Sequence, residues 1–375
     1  MIERIQADLK EIFKNDKTRL THIEGVLSTA LKLGERFGID ETKLKLAALL
    51  HDITKNEPLS FHETLIKKHF DAEILKTYTE PLYHAFSAAV IAKETYGIED
   101  EEILEAIKHH TIGKPAMRPI EKVLFISDYI EPNRPYAASK TVRQIAFDDI
   151  DYAVYKALDN SIELFASTAA FIPKLAYDTK DYYEWLCDIQ PQFTTERLTA
   201  RFVKPHDAPL FTSWWNDGRL MASVGFKDGI GIKESQVEKQ FESMMTDKKG
   251  HKILIVEEKS DKTPIGEVSY GELSVQDKSL RIGIKIANVD RQNQGYGFEV
   301  LNGFFTFLYE RYHLEKIYID TLAENKRAIR LYQKLGATLT ETKKGFWKDP
   351  EGTWRDAVFF ELPKSNFTGG TNEET

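Results

Sequence analysis

His51 and Asp52 are adjacent in the sequence, and their residue types make them the clearest candidates for metal chemistry. They follow Leu44 to Leu50, a run made mostly of leucine and alanine, where an ionised aspartate is costly unless it is paired or bound to metal. Neighbouring helical residues point about 100° apart, so the pair can splay and serve two adjacent metal ions. A helix-end aspartate beside a hydrogen-bonded core histidine is the simpler alternative.

The helices that would position this pair can be predicted from the spacing of apolar residues, and they carry further ligand types on their buried faces. His110 follows Ile107 by three residues, on the buried face, whereas His109 follows Glu105 by four, on the exposed face. His109 is therefore expected to be an exposed neighbour rather than a ligand. The inward-facing set is His22, His51, Asp52, His84, His110 and Asp128.

Imidazole and carboxylate groups together suit first-row metals such as iron, manganese or zinc. Six ligands exceed what a single tetrahedral site needs, whereas two metals bridged by Asp52 would use all of them. A metal pair clamps the attacking and leaving oxygens of a phosphoester displacement and supplies hydroxide near neutral pH. The pattern therefore predicts a dinuclear phosphohydrolase in the first half of the chain.

The order of these residues resembles the HD-domain metal phosphohydrolases, and the phrases HDITK, HTIGKPAM and SDYIEPNR resemble the YqeK-type symmetrical diadenosine-tetraphosphate hydrolases. The resemblance spans about residues 1 to 187. It implies an all-helical fold with two metals, often iron, and cleavage of dinucleoside polyphosphates to nucleoside diphosphates. It also implies that the six residues are the ligands, with Asp52 at the catalytic centre. Lys55, Lys114 and Arg134 match basic positions and are inferred to face substrate phosphates, with a surface cation as the alternative for each.

Near residue 189 the composition changes, and β-branched, roughly alternating segments predict strands separated by helices. Strands are expected at 199–203, 252–257, 265–270, 280–286, 317–321 and 357–362. This mixture predicts an α+β or α/β domain with a central sheet. The chain is thus expected to be multidomain, with an all-α bundle over 1–188, a linker over 189–193, an α+β domain with a mixed sheet over 194–364, and a disordered tail over 365–375.

One loop of the second half, Gln292-Asn293-Gln294-Gly295-Tyr296-Gly297, joins a strand to a long helix. Its glycines let backbone N–H groups approach a ligand closely, and the helix N-terminus favours an anion such as phosphate. It is neither a Walker loop nor a dinucleotide fingerprint, because the required residues or spacing are missing. Further on, Asn325 can cap a helix, and residue habits alone make Tyr332 a core aromatic.

Together, Q-x-x-G-x-G after a strand and N-x-x-A-x-x-x-Y-x-x-x-G resemble the GNAT acetyltransferases over about residues 194 to 363. Trp354-Arg355-Asp356 resembles the subgroup that acetylates protein N-termini and small amines. The resemblance implies that Tyr332 protonates the departing thiolate. It also implies contacts to acetyl-CoA from Ile286, Ala287, Gln292, Asn293, Gln294, Gly295, Tyr296, Gly297, Asn325 and Tyr332.

A departure from the GNAT pattern is Ala337, where the family usually has phenylalanine, and it implies only a small packing change. The amine acceptor must be neutral to attack, so a general base or a water relay is needed. Glu257, Glu267 and Glu272 are candidates, and the sequence does not choose among them.

The composition limits the remaining function classes. Lys and Arg number 51 against 59 Asp and Glu, for a net charge of −8, so nucleic-acid binding is not expected. One cysteine excludes an internal disulfide and suits a reducing cytoplasm, and no apolar run is long enough to span a bilayer.

We therefore expect a cytoplasmic bifunctional enzyme whose acetyl acceptor is an unidentified amine. The alternative is a hydrolase of another nucleotide with a GNAT-like half that senses acetyl-CoA or acts as a docking module. The oligomeric state is left open, a homodimer included.

Overall fold

The computed structural model describes residues 1–168, 170–247, 250–287, 294–367 and 369, and it forms two compact units, Met1–Asp188 and Ile189–Thr375. Among the described residues, no helix combines the length and the apolar character needed to cross a membrane. The predicted tail falls mainly outside the described residues, after a short helical turn at Lys364–Asn366.

The first unit is helical throughout its described residues. The helices are α1 (Ile2–Ile12), α2 (Lys17–Phe37), α3 (Glu41–Leu50), α4 (Leu59–His69), α5 (Ile74–Thr77), α6 (Tyr83–Tyr96), α7 (Glu101–His109), α8 (Pro119–Ile130), α9 (Ala137–Ile145), α10 (Ile150–Ser167) and α11 (Lys174–Leu186).

Helix α3 is the centre of this unit because its sequence is apolar almost all round. It begins where the Asp40 side chain accepts a hydrogen bond from the Lys43 backbone N–H at 2.8 Å, an N-cap that satisfies one of the free amides of the first turn. It packs against α2, α7 and α8. It ends at Leu50, so His51-Asp52 lies where the chain begins to turn.

The second unit is an α+β domain. Its helices are α12 (Ala208–Asn216), α13 (Gly218–Met221), α14 (Glu234–Ser243), α15 (Tyr296–Arg311) and α16 (Lys326–Lys334). Its strands are β1 (Phe193–Thr194), β2 (Leu198–Phe202), β3 (Lys252–Glu258), β4 (Pro264–Ser274), β5 (Ser279–Ile286), β6 (Lys316–Leu322), β7 (Thr338–Lys348) and β8 (Trp354–Pro363). They form one mixed sheet in the order β1-β2-β3-β4-β5-β6-β8-β7, in which only β5 and β6 are parallel.

Strands β5 and β6 separate part of the way along the sheet. They pair from Ser279 opposite Lys316 to Ile282 opposite Ile319, and no further pairing between them follows in the part of the chain that the structure describes. Strand β5 nevertheless remains paired with β4 as far as Ile286, and β6 remains paired with β8 to its end. The sheet is therefore open between the ends of β5 and β6, and this opening holds the cavity described below.

Strand β7 was not predicted from the sequence. It is an edge strand that pairs only with β8, and all but two of its residues are exposed. A strand without a buried face has no reason to alternate apolar and polar side chains, so the period-2 signal is missing.

Candidate functional site

Asp52 lies at the centre of the histidine cluster of the first unit. Its Oδ2 atom lies 3.6 Å from Nε2 of both His22 and His51. Its Oδ1 atom lies 3.0 Å from Nε2 of His84 and 3.7 Å from Nε2 of His110. Two groups of ligand atoms, each within 4.8 Å of one another, are His22, His51 and Asp52, and Asp52, His84 and His110. One carboxylate is therefore positioned to be shared by two cations.

The histidine rings are oriented so that Nε2 faces Asp52. In His51, His84 and His110, Nδ1 lies 2.7, 2.8 and 2.7 Å from the backbone carbonyl oxygen three residues earlier. A carbonyl oxygen only accepts, so Nδ1 carries the proton and Nε2 presents its lone pair to the cluster. Histidines that bind metals usually have this second hydrogen bond, which fixes the tautomer and the ring orientation.

Several buried atoms of the cluster lack a satisfactory protein partner. Among the described residues, Nε2 of His22 and of His51 is buried without a hydrogen-bond partner, although buried polar atoms are nearly always satisfied. The Nε2 atoms of His84 and His110 face each other at 3.2 Å, where two lone pairs repel. Cations bound within the two groups would satisfy all four atoms, so the residues present fit a metal pair.

Asp128, the sixth predicted ligand, joins the cluster through His22. Its Oδ1 atom lies 3.0 Å from Nε2 of His22, and 18 % of its side chain is exposed. On the other side of the ring, Nδ1 of His22 lies 3.3 Å from Oε1 of the buried Glu131. Glu131 thus orients His22 as the carbonyls orient the other rings. Sequence analysis missed it, although its position one helical turn after Asp128 could have indicated it.

Burial keeps two of the predicted histidine ligands in the neutral state that metal binding needs. It lowers the pKa of His51 to about 3 and that of His84 to about 4, so both rings are neutral at pH 7. Burial opposes ionisation of Asp52, but its interactions with His51, His110 and His84 hold its pKa well below the usual value. The Asp52 carboxylate is therefore charged, and the imidazoles of His51 and His84 are neutral.

Three cations contact the ligands. Nη2 of Arg134 lies 2.8 Å from Oδ1 of Asp128, and Nζ of Lys55 lies 3.3 Å from Nε2 of His84. The third is Arg19, whose Nη1 lies 2.5 Å from Oδ2 of Asp52. Sequence analysis missed Arg19, although its position one turn before His22 on the same helix places it on the same face.

Lys114 is placed differently from Lys55 and Arg134. Its ammonium lies 2.6 Å from Oε2 of Glu105 and 3.0 Å from Oε1 of Glu121, and Glu121 is only 1 % exposed. Both contacts are with carboxylates outside the ligand groups, so its positive charge is already compensated. A role for Lys114 toward phosphates stays a prediction.

The prediction that His109 is an exposed neighbour is wrong. Its side chain is half-buried, and Nδ1 is buried without a hydrogen-bond partner among the described residues. Burial lowers its pKa to about 3. Helix α7 ends at His109, and the helical phase used in the prediction does not extend reliably to a terminal residue.

In the second unit, the opening between β5 and β6 contains a cavity of about 450 Å³. Its walls include Ile286 at the end of β5, Gly297 at the start of α15, and Asn325 and Tyr332 from the segment that forms α16. Ala287 is buried directly after Ile286. The structure thus brings predicted acetyl-CoA contacts from three separate parts of the sequence to one cavity.

The N-terminus of α15 has the backbone conformation that its glycines indicated. Gly295 caps the helix with φ 80°, a left-handed value that favours glycine. Gly297 packs closely, because a Cβ added there would lie 3.3 Å from Leu331. Arg197 fixes this turn, since Nη1 and Nη2 each donate to the Gln294 carbonyl at 3.3 Å and the guanidinium lies 4.1 Å from the Tyr296 ring. Gln292 and Asn293 lie outside the described residues.

Tyr332 is buried in the cavity wall with 4 % of its surface exposed. Burial raises the pKa of its hydroxyl, so the group keeps its proton at pH 7, which a general acid requires. Tyr332 is therefore a core aromatic residue that contacts Phe360 edge to face. It also lines the candidate site.

None of the three glutamates considered as a base lines this cavity in the described part of the chain. Glu257 contacts Arg201, Glu272 contacts Arg281, and Glu267 contacts Lys285 and Trp215. The carboxylate that does line it is Asp320, whose Oδ1 lies 2.5 Å from Nη1 of Arg281. Sequence analysis missed Asp320, and its signal was a lone acid within the apolar strand β6.

Comparison with known proteins links each unit to a family. The HD domain model matches residues 19–153, and the acetyltransferase (GNAT) domain model matches residues 197–338. The symmetrical bis(5'-nucleosyl)-tetraphosphatase of Bacillus subtilis (strain 168) is 36 % identical over 169 residues, which are 45 % of this chain and 89 % of that protein. The protein of the same name from Halalkalibacterium halodurans is 39 % identical over 144 residues, which are 38 % of this chain and 77 % of that protein.

Among solved structures, spermidine N-acetyltransferase from Vibrio cholerae in complex with CoA and spermine is similar to the second half, with 20 % identity and a TM-score of 0.41 over 45 % of this chain and 97 % of that one. The predicted multidomain fold class and both family resemblances are confirmed by the domain matches and by the Bacillus relative.

Proposed function

The chain belongs to the family of symmetrical bis(5'-nucleosyl)-tetraphosphatases through its HD domain and carries a GNAT domain after it, and from this premise we propose that it is a bifunctional enzyme. The first unit hydrolyses dinucleoside polyphosphates, with diadenosine tetraphosphate giving two ADP. The second unit transfers an acetyl group from acetyl-CoA to an amine. The observation that carries the hydrolase proposal is the Asp52 carboxylate shared between two ligand groups.

Two divalent first-row metal ions, with iron as the first candidate and manganese as the second, would supply Lewis acidity and a hydroxide near neutral pH. The residues proposed to hold them are His22, His51, Asp52, His84, His110 and Asp128. Their imidazoles offer lone pairs, and their two carboxylates offset part of the added positive charge. Backbone carbonyls and Glu131 keep the rings in the ligating tautomer.

Lys55 and Arg134 are proposed to bind the phosphates of the substrate. Both are half-buried beside ligand residues, where the interaction of a cation with an anion is screened less than at the open surface. Arg134 also hydrogen-bonds the Asp128 backbone carbonyl through Nε at 3.1 Å, so the guanidinium is rigidly oriented. Such fixed cations orient a polyphosphate chain before cleavage.

The hydrolase proposal is tested by incubating the full chain, loaded with iron or manganese, with diadenosine tetraphosphate and separating the nucleotides. ADP is the expected product, and Asp52→Asn is expected to abolish its formation. Lys122→Met is the matched control, because Lys122 forms an ion pair with Asp151 at 2.5 Å that involves none of the ligands. AMP and ATP as products, or full activity of the metal-free chain, would overturn the proposal.

For the second unit, we propose that acetyl-CoA occupies the cavity between β5 and β6. Its pantetheine arm follows Ile286 and Ala287, where the backbone of β5 has no pairing to β6, and its pyrophosphate lies at the N-terminus of α15. Tyr332 gives its proton to the CoA thiolate as the thioester breaks. Asp320 is proposed to hold the amine acceptor at the cavity wall, and the identity of that amine is the open question.

The acetyltransferase proposal is tested by calorimetric titration of acetyl-CoA into the full chain, followed by a screen of amines for release of CoA. Ala328→Trp fills the cavity from α16 and is expected to abolish binding, whereas Gln333→Trp places the same side chain on an exposed position of the same helix. Binding unaffected by Ala328→Trp would contradict the proposed site. Binding without CoA release for any amine would instead favour an acetyl-CoA sensor.

A further inference from the structure

Arg19 contacts the shared carboxylate directly, although it is not among the predicted ligands or phosphate-binding cations. Its Nη1 atom lies 2.5 Å from Oδ2 of Asp52, the oxygen that also faces His22 and His51. The guanidinium therefore lies on the side of the carboxylate that belongs to the first ligand group. A metal ion held by that group and the Arg19 guanidinium would compete for the same oxygen and repel each other.

The Arg19 backbone is anchored by a hydrogen bond, whereas one N–H donor of the guanidinium has no acceptor among the described residues. Asp16 accepts a hydrogen bond from the Arg19 backbone N–H at 3.0 Å and one from the Asn56 side chain at 2.9 Å, which ties the start of α2 to the turn after Asp52. Nε of Arg19 is buried and has no hydrogen-bond partner among the described residues. Guanidinium donates through paired N–H groups in a fork that matches phosphate oxygens, so Arg19 has the donors that a phosphate needs.

Arg134 behaves differently from Arg19. It contacts the side chain of Asp128 through Nη2 at 2.8 Å and the backbone carbonyl of the same residue through Nε at 3.1 Å. A metal ion on Asp128 would leave the second of these contacts intact. Arg19 contacts Asp52 through its carboxylate, which is the group that metal binding engages.

The charges around the cluster indicate what the released guanidinium would bind. Three cations near the ligands balance three carboxylates, and these groups are Arg19, Lys55, Arg134, Asp52, Asp128 and Glu131. Two divalent metal ions would therefore leave an excess of about four positive charges in a partly buried site. A tetraphosphate bridge, with about one negative charge on each phosphate, offsets an excess of this size.

We propose that Arg19 is the counter-ion of Asp52 in the metal-free chain and a phosphate-binding residue of the hydrolase site once metal ions hold Asp52. The inference rests on the proposed hydrolase function of the first unit. It adds a third phosphate-binding cation to Lys55 and Arg134, and it makes phosphate binding by Arg19 depend on the metal.

Arg19→Met and Arg19→Lys in the full chain separate the two roles, with Lys122→Met as the control ion-pair variant. Thermal unfolding is measured with manganese and with a chelator, and ADP binding to the manganese-loaded chain is measured by calorimetry. Arg19→Met is expected to lower the midpoint of the metal-free chain by several degrees and to leave that of the loaded chain unchanged. It is also expected to weaken ADP binding by about 10-fold to 100-fold, because one charged hydrogen-bonding partner of phosphate is lost.

Arg19→Lys keeps the charge but not the fork, so it is expected to restore the metal-free midpoint while leaving ADP binding weakened. Lys122→Met is expected to shift both midpoints equally and to leave ADP binding unchanged. If unmodified, manganese-loaded protein binds ADP and Arg19→Met binds it equally well, the inference about Arg19 is overturned while the hydrolase proposal stands. If the unmodified chain binds neither manganese nor ADP, the hydrolase proposal itself fails.

Discussion

Replacing Asp52 by asparagine removes a carboxylate that belongs to both ligand groups, whereas replacing His22 or His84 by alanine removes one ligand from a single group. Structural zinc sites gain about 10–16 kcal/mol from four ligands, so one ligand contributes about 3 kcal/mol, which is about a 100-fold change in affinity. We therefore expect about two metal ions per unmodified chain. Each histidine variant should retain one, and Asp52→Asn should retain almost none.

The stoichiometry can be measured by loading each variant with manganese at about ten times the dissociation constant of the unmodified chain, where a 100-fold weaker site is only about one-tenth filled. Metal and protein are then quantified after rapid desalting. His69→Ala is the control, because His69 contacts Glu94 at 3.3 Å and belongs to neither ligand group. Its metal content should be unchanged. One ion retained by Asp52→Asn would refute the shared carboxylate, and loss of both ions by a single histidine variant would refute two separable groups.

Three further predictions concern residues outside the two ligand groups. Lys114→Met should lower the free energy of unfolding by about 2 kcal/mol in denaturant titrations, because it removes the ion-pair partner of the buried Glu121 and one of the two lysines that contact Glu105; an unchanged stability would contradict this. Tyr332→Phe should lower CoA release by about 100-fold without changing acetyl-CoA affinity, and an equal loss of both would point to a structural role. His109 has a folded pKa of about 3, so unfolding takes up a proton below pH 6.5, and stability should fall from there toward pH 3. His109→Gln should reduce that slope by up to about 1.4 kcal/mol per pH unit, and an unchanged slope would show that His109 does not contribute.

Helical periodicity was sufficient to predict a cluster of histidine and aspartate side chains around Asp52, because a histidine or aspartate in an apolar stripe must face the same core as its neighbours. It did not single out Arg19, since a lysine or arginine at the edge of a stripe usually extends into solvent. It failed for His109 because α7 ends there. The positive charge of Lys114 is compensated partly by Glu121, which lies on another helix. Sequence spacing does not predict such tertiary contacts.

In the second unit, the sequence indicated most of the strands but not the opening between β5 and β6. Leucine or isoleucine recurs at every second residue of β5 from Leu280 to Ile286, so this pattern does not mark Ile282 as the last residue of β5 that pairs with β6. The opening arises because β5 stays paired with β4 and β6 stays paired with β8 after β5 and β6 separate. It is therefore a property of the whole sheet. Asp320 lines the cavity because β5 and β6 separate at this point of the sheet.

Two separate sites on one chain are tested most directly by measuring both activities on the same preparations. ADP formation from diadenosine tetraphosphate and calorimetric binding of acetyl-CoA are compared for the unmodified full chain, Asp52→Asn and Ala328→Trp. We predict that Asp52→Asn loses ADP formation and keeps acetyl-CoA binding, and that Ala328→Trp does the reverse. An unmodified chain that forms no ADP, or a single variant that loses both properties while folded, would contradict two independent sites.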